Sequence, residues 1–141
     1  MACGAGYRIF GTTADLGVAA WAPSLAEACA QTARGMFAVL VDLRTVRPRQ
    51  PFHVAAEGAD AAGMLVAFLN ELLYLHVTQV AVVRRFDITL APPHRLRALA
   101  WGEAIDPRRH RIETEIKAAT YHRLSLTSQR GKWRARVILD V

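Results

Sequence analysis

Cysteine is scarce: Cys3 and Cys29 are the only two in 141 residues. No CxxC pair and no Cys/His cluster at zinc spacing occurs, so neither a disulfide framework nor a structural zinc is read, and two free thiols in a reducing cytoplasm are the expectation. No apolar run approaches the roughly 18 residues of a membrane-spanning helix. The opening MACGAGYRIF has no basic segment leading into an apolar one, so no secretory signal is read. Phosphate-cradling loops and the serine nucleophile elbow are missing as well: no GxGxxG follows a strand, and neither a GxxxxGKS/T loop nor a GxSxG elbow is present. The five histidines, His53, His76, His94, His110 and His122, are too scattered to suggest a ligand set. Lysine is rare, with Lys117 and Lys132 standing against sixteen arginines.

What is present describes a folded single domain spanning residues 1–141, with residues 1–6 as a frayed N-terminus. The chain is 52% hydrophobic and 21% charged, and its length can bury a core without cross-links. The net charge of +6 suits RNA or an RNA-handling partner. The arginine and alanine bias fits high-GC codon usage equally well. Tyr7–Phe10 and Leu16–Trp21 read as a hairpin. Ser24–Glu27, SLAE, forms a capping box that opens a helix to about Leu40. Pro51–Ala56 is a short strand, and Asp60 caps a second helix from Ala61 to about Leu75, apolar almost all round. Val80–Leu90 and Arg95–Glu103 form a long hairpin. Extended segments follow from Thr114, and Trp133–Val141 alternates as the last strand. The order predicts an α+β fold: two helices packed on a mostly antiparallel or mixed β-sheet.

The carboxylates are the more informative candidates. Asp15 lies in the turn between the first two strands, and Asp140 ends the last. First and last strands of small sheets are often neighbours, so these two carboxylates and the terminal Val141 could converge. Their repulsion would be relieved by a hard cation held on oxygen ligands, calcium, magnesium or manganese. An Asx-turn at Asp15 and a solvated tail at Asp140 are the alternative. Glu71 shares a helical face with Phe68, Leu72 and Leu75, either as a functional group or paired with Arg84 or Arg85. Lys117 could bind phosphate or pair with Glu113 or Glu115.

These segments resemble one family. TADLG after a Tyr-led strand, SLAEA opening the first helix, FLNELLYL in the second, EIKAATYH late in the chain and the ending WRARVILDV are similar, in order and spacing, to archeases. The resemblance spans Tyr7 to Val141. It implies a small α+β protein of tRNA splicing that is not an enzyme: an activator of the RtcB-type RNA ligase. Such an activator promotes formation of the ligase's own guanylate from GTP and manganese and allows multiple turnover. A looser chaperone-like or tRNA-modification role has also been attached to the family. The family's metal site, described as calcium-binding, maps onto Asp15, Asp140 and the main chain of Val141. Gly11 and Thr12 stand where the family usually has Glu-His, and Phe68 where Trp is common. Glu71 and Lys117 match and are read as partner-facing.

Two rival readings remain. One is a direct RNA-binding or chaperone-like module using an arginine surface around Arg108, Arg109, Arg111, Arg130, Arg134 and Arg136. The other is a stand-alone metal-dependent phosphodiesterase, ranked last because no base or second metal cluster is evident.

Overall fold

The computed structural model describes residues 4–11 and 15–141. Within them the chain runs β1 (Gly6–Phe10), β2 (Leu16–Ala22), α1 (Leu25–Leu40), a 3₁₀ turn at Leu43–Thr45, β3 (Gln50–Glu57), α2 (Ala61–Thr78), β4 (Ala81–Ala91), β5 (Arg95–Ala104), β6 (Ala118–Ala119), β7 (Ser125–Gln129) and β8 (Lys132–Asp140). The expected α+β domain is borne out. Its strands divide between two sheets, and every pairing is antiparallel. The first sheet has the order β1-β2-β8, with β6 and β7 both pairing with the far side of β8; the second is β3-β5-β4. Strand β1 begins at Gly6, paired with Trp21, so the last residue of the expected N-terminal fray belongs to the sheet, while residues 1–3 lie outside the described residues.

Both helix starts follow from their caps. Ser24 Oγ accepts from the Glu27 amide at 3.1 Å, and Asp60 Oδ1 accepts from the Gly63 amide at 2.7 Å. The reciprocal half of the expected capping box is replaced: the Glu27 carboxylate accepts from Gln31 Nε2 instead. Helix α1 packs against β1, β2 and β8 of one sheet and β4 of the other, and α2 against β3, β4 and β6. The helices therefore form a layer between the sheets, which is why α1 is buried on almost every side. Phe37, Phe68 and Phe86 join α1, α2 and β4 at the centre, with ring centroids 6.4 Å and 6.1 Å apart. Cys29 lies fully buried in this core, and desolvation pushes its thiol up to about 12.

Helix α2 runs three residues past the expected end at Leu75. Its 18 residues have a mean hydropathy of 1.4, enough by length and composition to cross a bilayer. Asn70 and Glu71 hid that run in the sequence. Packing between strands accounts for its apolarity, since Met64, Leu65, Phe68, Leu69 and Leu72 are all buried in the core.

Candidate functional site

The β2–β8 pairing carries the two aspartates to one end of the sheet. Leu16 pairs with Leu139, and continuing the antiparallel register by one residue sets Asp15 opposite Asp140. Both are exposed. On the other side of β8, Ala118 pairs with Asp140, and the Lys117 amide donates to the Asp140 carbonyl oxygen at 2.7 Å. Val141 packs partly buried against the core, so the chain end is fixed rather than trailing in solvent. Asp15, Asp140, Val141 and Lys117 thus share one end of the five-stranded sheet.

Gly11 and Asp15 approach one another closely. Gly11 has φ +96°, and a Cβ there would lie 1.9 Å from the Asp15 carbonyl oxygen. A side chain at position 11 therefore collides with backbone as well as requiring a left-handed conformation. The glutamate common at this position in the resemblance cannot simply be restored in this turn. Gly11→Glu is expected to cost about 1–3 kcal/mol, read as a melting temperature several degrees lower. An unchanged melting temperature would show that the turn readjusts freely. The companion position, Thr12, lies outside the described residues.

Glu71 is not part of this group. It is exposed on α2, on the wet side rather than the half-buried face expected from its spacing, and lines a shallow groove with His53, Tyr74 and Thr78. Neither suggested arginine pairs with it. Arg84 Nη1 donates to the Val46 carbonyl at 3.2 Å, and Arg85 lies 4.6 Å over the Trp101 ring and 3.8 Å from Asp87. The neighbouring Asn70 does reach backbone: its amide accepts from the Ala119 N–H at 2.9 Å and donates to the Ala119 carbonyl at 3.1 Å.

Sequence reasoning missed a polar cluster around Glu103. This carboxylate is 4% exposed. It accepts from Arg109 at 2.7 and 3.0 Å, from the Arg47 amide at 2.8 Å and from His110 Nε2 at 2.9 Å. Hydrogen bonds from Arg109, then from the Arg47 amide and His110, outweigh burial and hold its carboxyl at about 2. The Asp106 amide donates to His110 Nδ1, which leaves the ring proton on Nε2 to face Glu103. Arg109 and His110 reach Glu103 from the loop and the Arg47 amide from the other side, so the cluster clasps the 106–110 loop onto the β3–β5 sheet. A hollow of about 470 Å³ between α1 and β4 carries Arg34, Arg84 and Arg85 beside Glu27 and Asp87. Two carboxylates there face three arginines, and it contains none of the expected site residues.

Among the described residues no three His, Cys, Asp or Glu side chains gather as a metal site. The oxygen donors at the sheet end are two carboxylates plus the main-chain terminus. That set suits a hard cation such as calcium and lacks the nitrogen or sulfur donors zinc favours.

The comparisons with known proteins bear on this geometry. The family model "Archease protein family (MTH1598/TM1083)" matches residues 7–141. This chain belongs to the archease family. It is 34% identical to the protein archease of Pyrococcus abyssi over 133 residues, covering 92% of this chain and 94% of that one. Against the protein archease of Methanosarcina mazei it is 33% identical over 139 residues, covering 96% and 95%. The solution structure of Methanobacterium thermoautotrophicum protein 1598 superposes with a TM-score of 0.84 at 31% identity, covering 96% of this chain and 99% of that one. A Thermotoga maritima crystal structure, described as an archease and possible chaperone, shares the fold with a TM-score of 0.60 at 17% identity, covering 95% and 96%. Family membership accounts for the order of the motifs from Tyr7 to Val141.

Proposed function

We propose that this archease is a non-catalytic, metal-binding cofactor of an RtcB-type RNA ligase in tRNA splicing or RNA repair in the cytoplasm. It promotes the ligase's guanylylation and multiple turnover, and meets RNA through the ligase. The observation that carries this reading is the β2–β8 register, which sets Asp15 opposite Asp140 beside the fixed terminus of Val141 in a chain of this family. Those three residues would hold the divalent cation, calcium first, with manganese or magnesium as the other hard-cation choices. A bound cation supplies positive charge where nucleotide phosphates are handled. This chain's own residues position that charge: Asp15 and Asp140 set the sheet end, and the Lys117–Asp140 backbone bond stiffens it. Lys117 and Glu71 are exposed on different faces and would meet the partner separately.

The test is single-turnover formation of the ligase guanylate from labelled GTP and manganese, with and without this protein. Stimulation of at least about tenfold is expected, which requires only about 1.4 kcal/mol off the barrier. An unchanged rate with the cognate ligase would remove the activator reading.

A further inference from the structure

The outer face of the five-stranded sheet, turned away from the helices, has a composition the acidic end does not explain. Register aligns Arg8, Ala19, Arg136 and Ser125 in one row across β1, β2, β8 and β7, and Gly6, Trp21, Arg134 and Thr127 in the next. The rows are about 7 Å apart along the strands, and Arg8 and Arg136 about 10 Å apart across them. Arg8, Arg134 and Arg136 are exposed, and among the described residues no carboxylate lies within ion-pair distance of any of them. Together with Trp21 they border a hollow of about 360 Å³.

The aromatic rings there are seated on glycines. A Cβ at Gly17 would fall 2.3 Å from the Phe10 ring, and one at Gly6 would fall 2.9 Å from the Trp21 indole. Phe10 in turn orients two guanidiniums, that of Arg136 at 4.0 Å and that of Arg8 at 5.7 Å from its centroid. Strands β2 and β8, which carry Trp21, Arg134 and Arg136, are interior to the sheet, so at these residues the face offers side chains rather than free backbone.

We infer that this face binds single-stranded RNA, with phosphates held by Arg8, Arg134 and Arg136 and a base lying against Trp21. Unpaired guanidiniums interleaved with a flat aromatic on an open sheet are what a single strand needs: charge for the backbone and a π-surface for an unstacked base. The alanine at position 19, between Arg8 and Arg136, leaves room for the base. The Ser125 and Thr127 hydroxyls can exchange hydrogen bonds with a ribose 2′-hydroxyl, which deoxyribose lacks. An acidic protein surface would use the same charges but has no need of the indole. The inference goes beyond the ligase reading, in which RNA is met through the ligase, by adding a direct contact that is tested on the protein alone.

The experiment is fluorescence anisotropy of a labelled oligouridylate of about 12 nucleotides with the intact protein and no ligase, repeated over a salt series. The expected slope of log affinity against log salt is about −2, from three phosphate contacts on a single strand. Replacing Arg8, Arg134 and Arg136 together by glutamine is expected to abolish most of that slope and to lower low-salt affinity at least about tenfold. Trp21→Ala should lose about tenfold through stacking while keeping the slope. Arg108→Gln with Arg111→Gln, outside this face, should change neither. An unchanged slope in the triple arginine variant overturns the inference. So does equal affinity for the deoxyribose oligomer. Equally tight competition by polyglutamate with Trp21→Ala silent would assign the face to an acidic protein instead. If Trp21→Ala fails to fold, the arginine arms decide alone, since those three side chains are exposed and contribute little to stability.

Discussion

Asparagine in place of Asp15 or Asp140 is expected to leave the melting temperature within about a degree of the parent and to remove most of the stimulation of ligase guanylylation. Both side chains are exposed, and exposed polar substitutions typically change stability by less than about 0.5 kcal/mol. Each is proposed to supply one of very few anionic oxygens to the cation. Groups that merely orient a metal ligand are worth about 10- to 100-fold in affinity, so loss of a ligand itself should exceed that. Calcium binding followed by calorimetry should therefore weaken by more than about 100-fold in either variant. A peptide tag fused after Val141 removes the terminal carboxylate and should weaken binding as well. Normal stimulation by both aspartate variants would refute the acidic-end mechanism while leaving family membership untouched.

Loss of Glu103 should produce the largest change in stability. Glu103→Gln keeps the shape of the side chain and removes its charge, leaving the Arg47 amide without a carboxylate acceptor and Arg109 with only its 3.5 Å carboxylate contact to Asp106. Removing one member of a buried ion pair typically costs about 3–5 kcal/mol. Arg109 keeps 27% of its side-chain surface in water, so the low end, about 3 kcal/mol, is expected. The pH dependence has a definite sign. The Glu103 carboxyl is held at about 2 against an ordinary 4.5, so its contribution is complete above about 4.5 and is lost as pH falls toward 2. Parent and variant should differ most at neutral pH and converge in acid, as denaturant midpoints measured from pH 7 downward would show. A constant difference across that range would mean that the carboxylate's charge does not stabilise the loop.

Local features were the legible ones. The β1–β2 hairpin, the Ser24 and Asp60 caps and the alternation of β8 each depend on residues close in sequence, where period and capping chemistry speak directly. The separation into two sheets depends on which distant strands meet, and no local pattern encodes that. Glu103 shows the same limit. Alternation along β5 places it on the face of Trp101, away from the buried Ala98 and Ala100, and it is buried only because the 106–110 loop folds back over it. The arginines were grouped in sequence by charge alone. The fold takes Arg109 out of that group by giving it to Glu103, and adds Arg8, whose place beside Arg136 depends on two strand registers at once. The expected pairing of first and last strands was not met, since β2 rather than β1 lies beside β8; Asp15 reaches the sheet end of Asp140 because it immediately precedes β2. Glu71 was misplaced because a helix between two sheets leaves a narrow wet stripe, where Tyr74 and Thr78 also lie.

The two hydrogen bonds from Asn70 to Ala119 have a consequence for how this chain behaves in a crowded solution. Strand β6 is a border of the five-stranded sheet, and a border strand offers its unpaired amides and carbonyls to any extended chain that drifts past. At Ala119 both groups are already engaged by the Asn70 side chain. A single carboxamide thus imitates the neighbouring strand that the sheet lacks, and helix α2 closes this border against stacking into fibres.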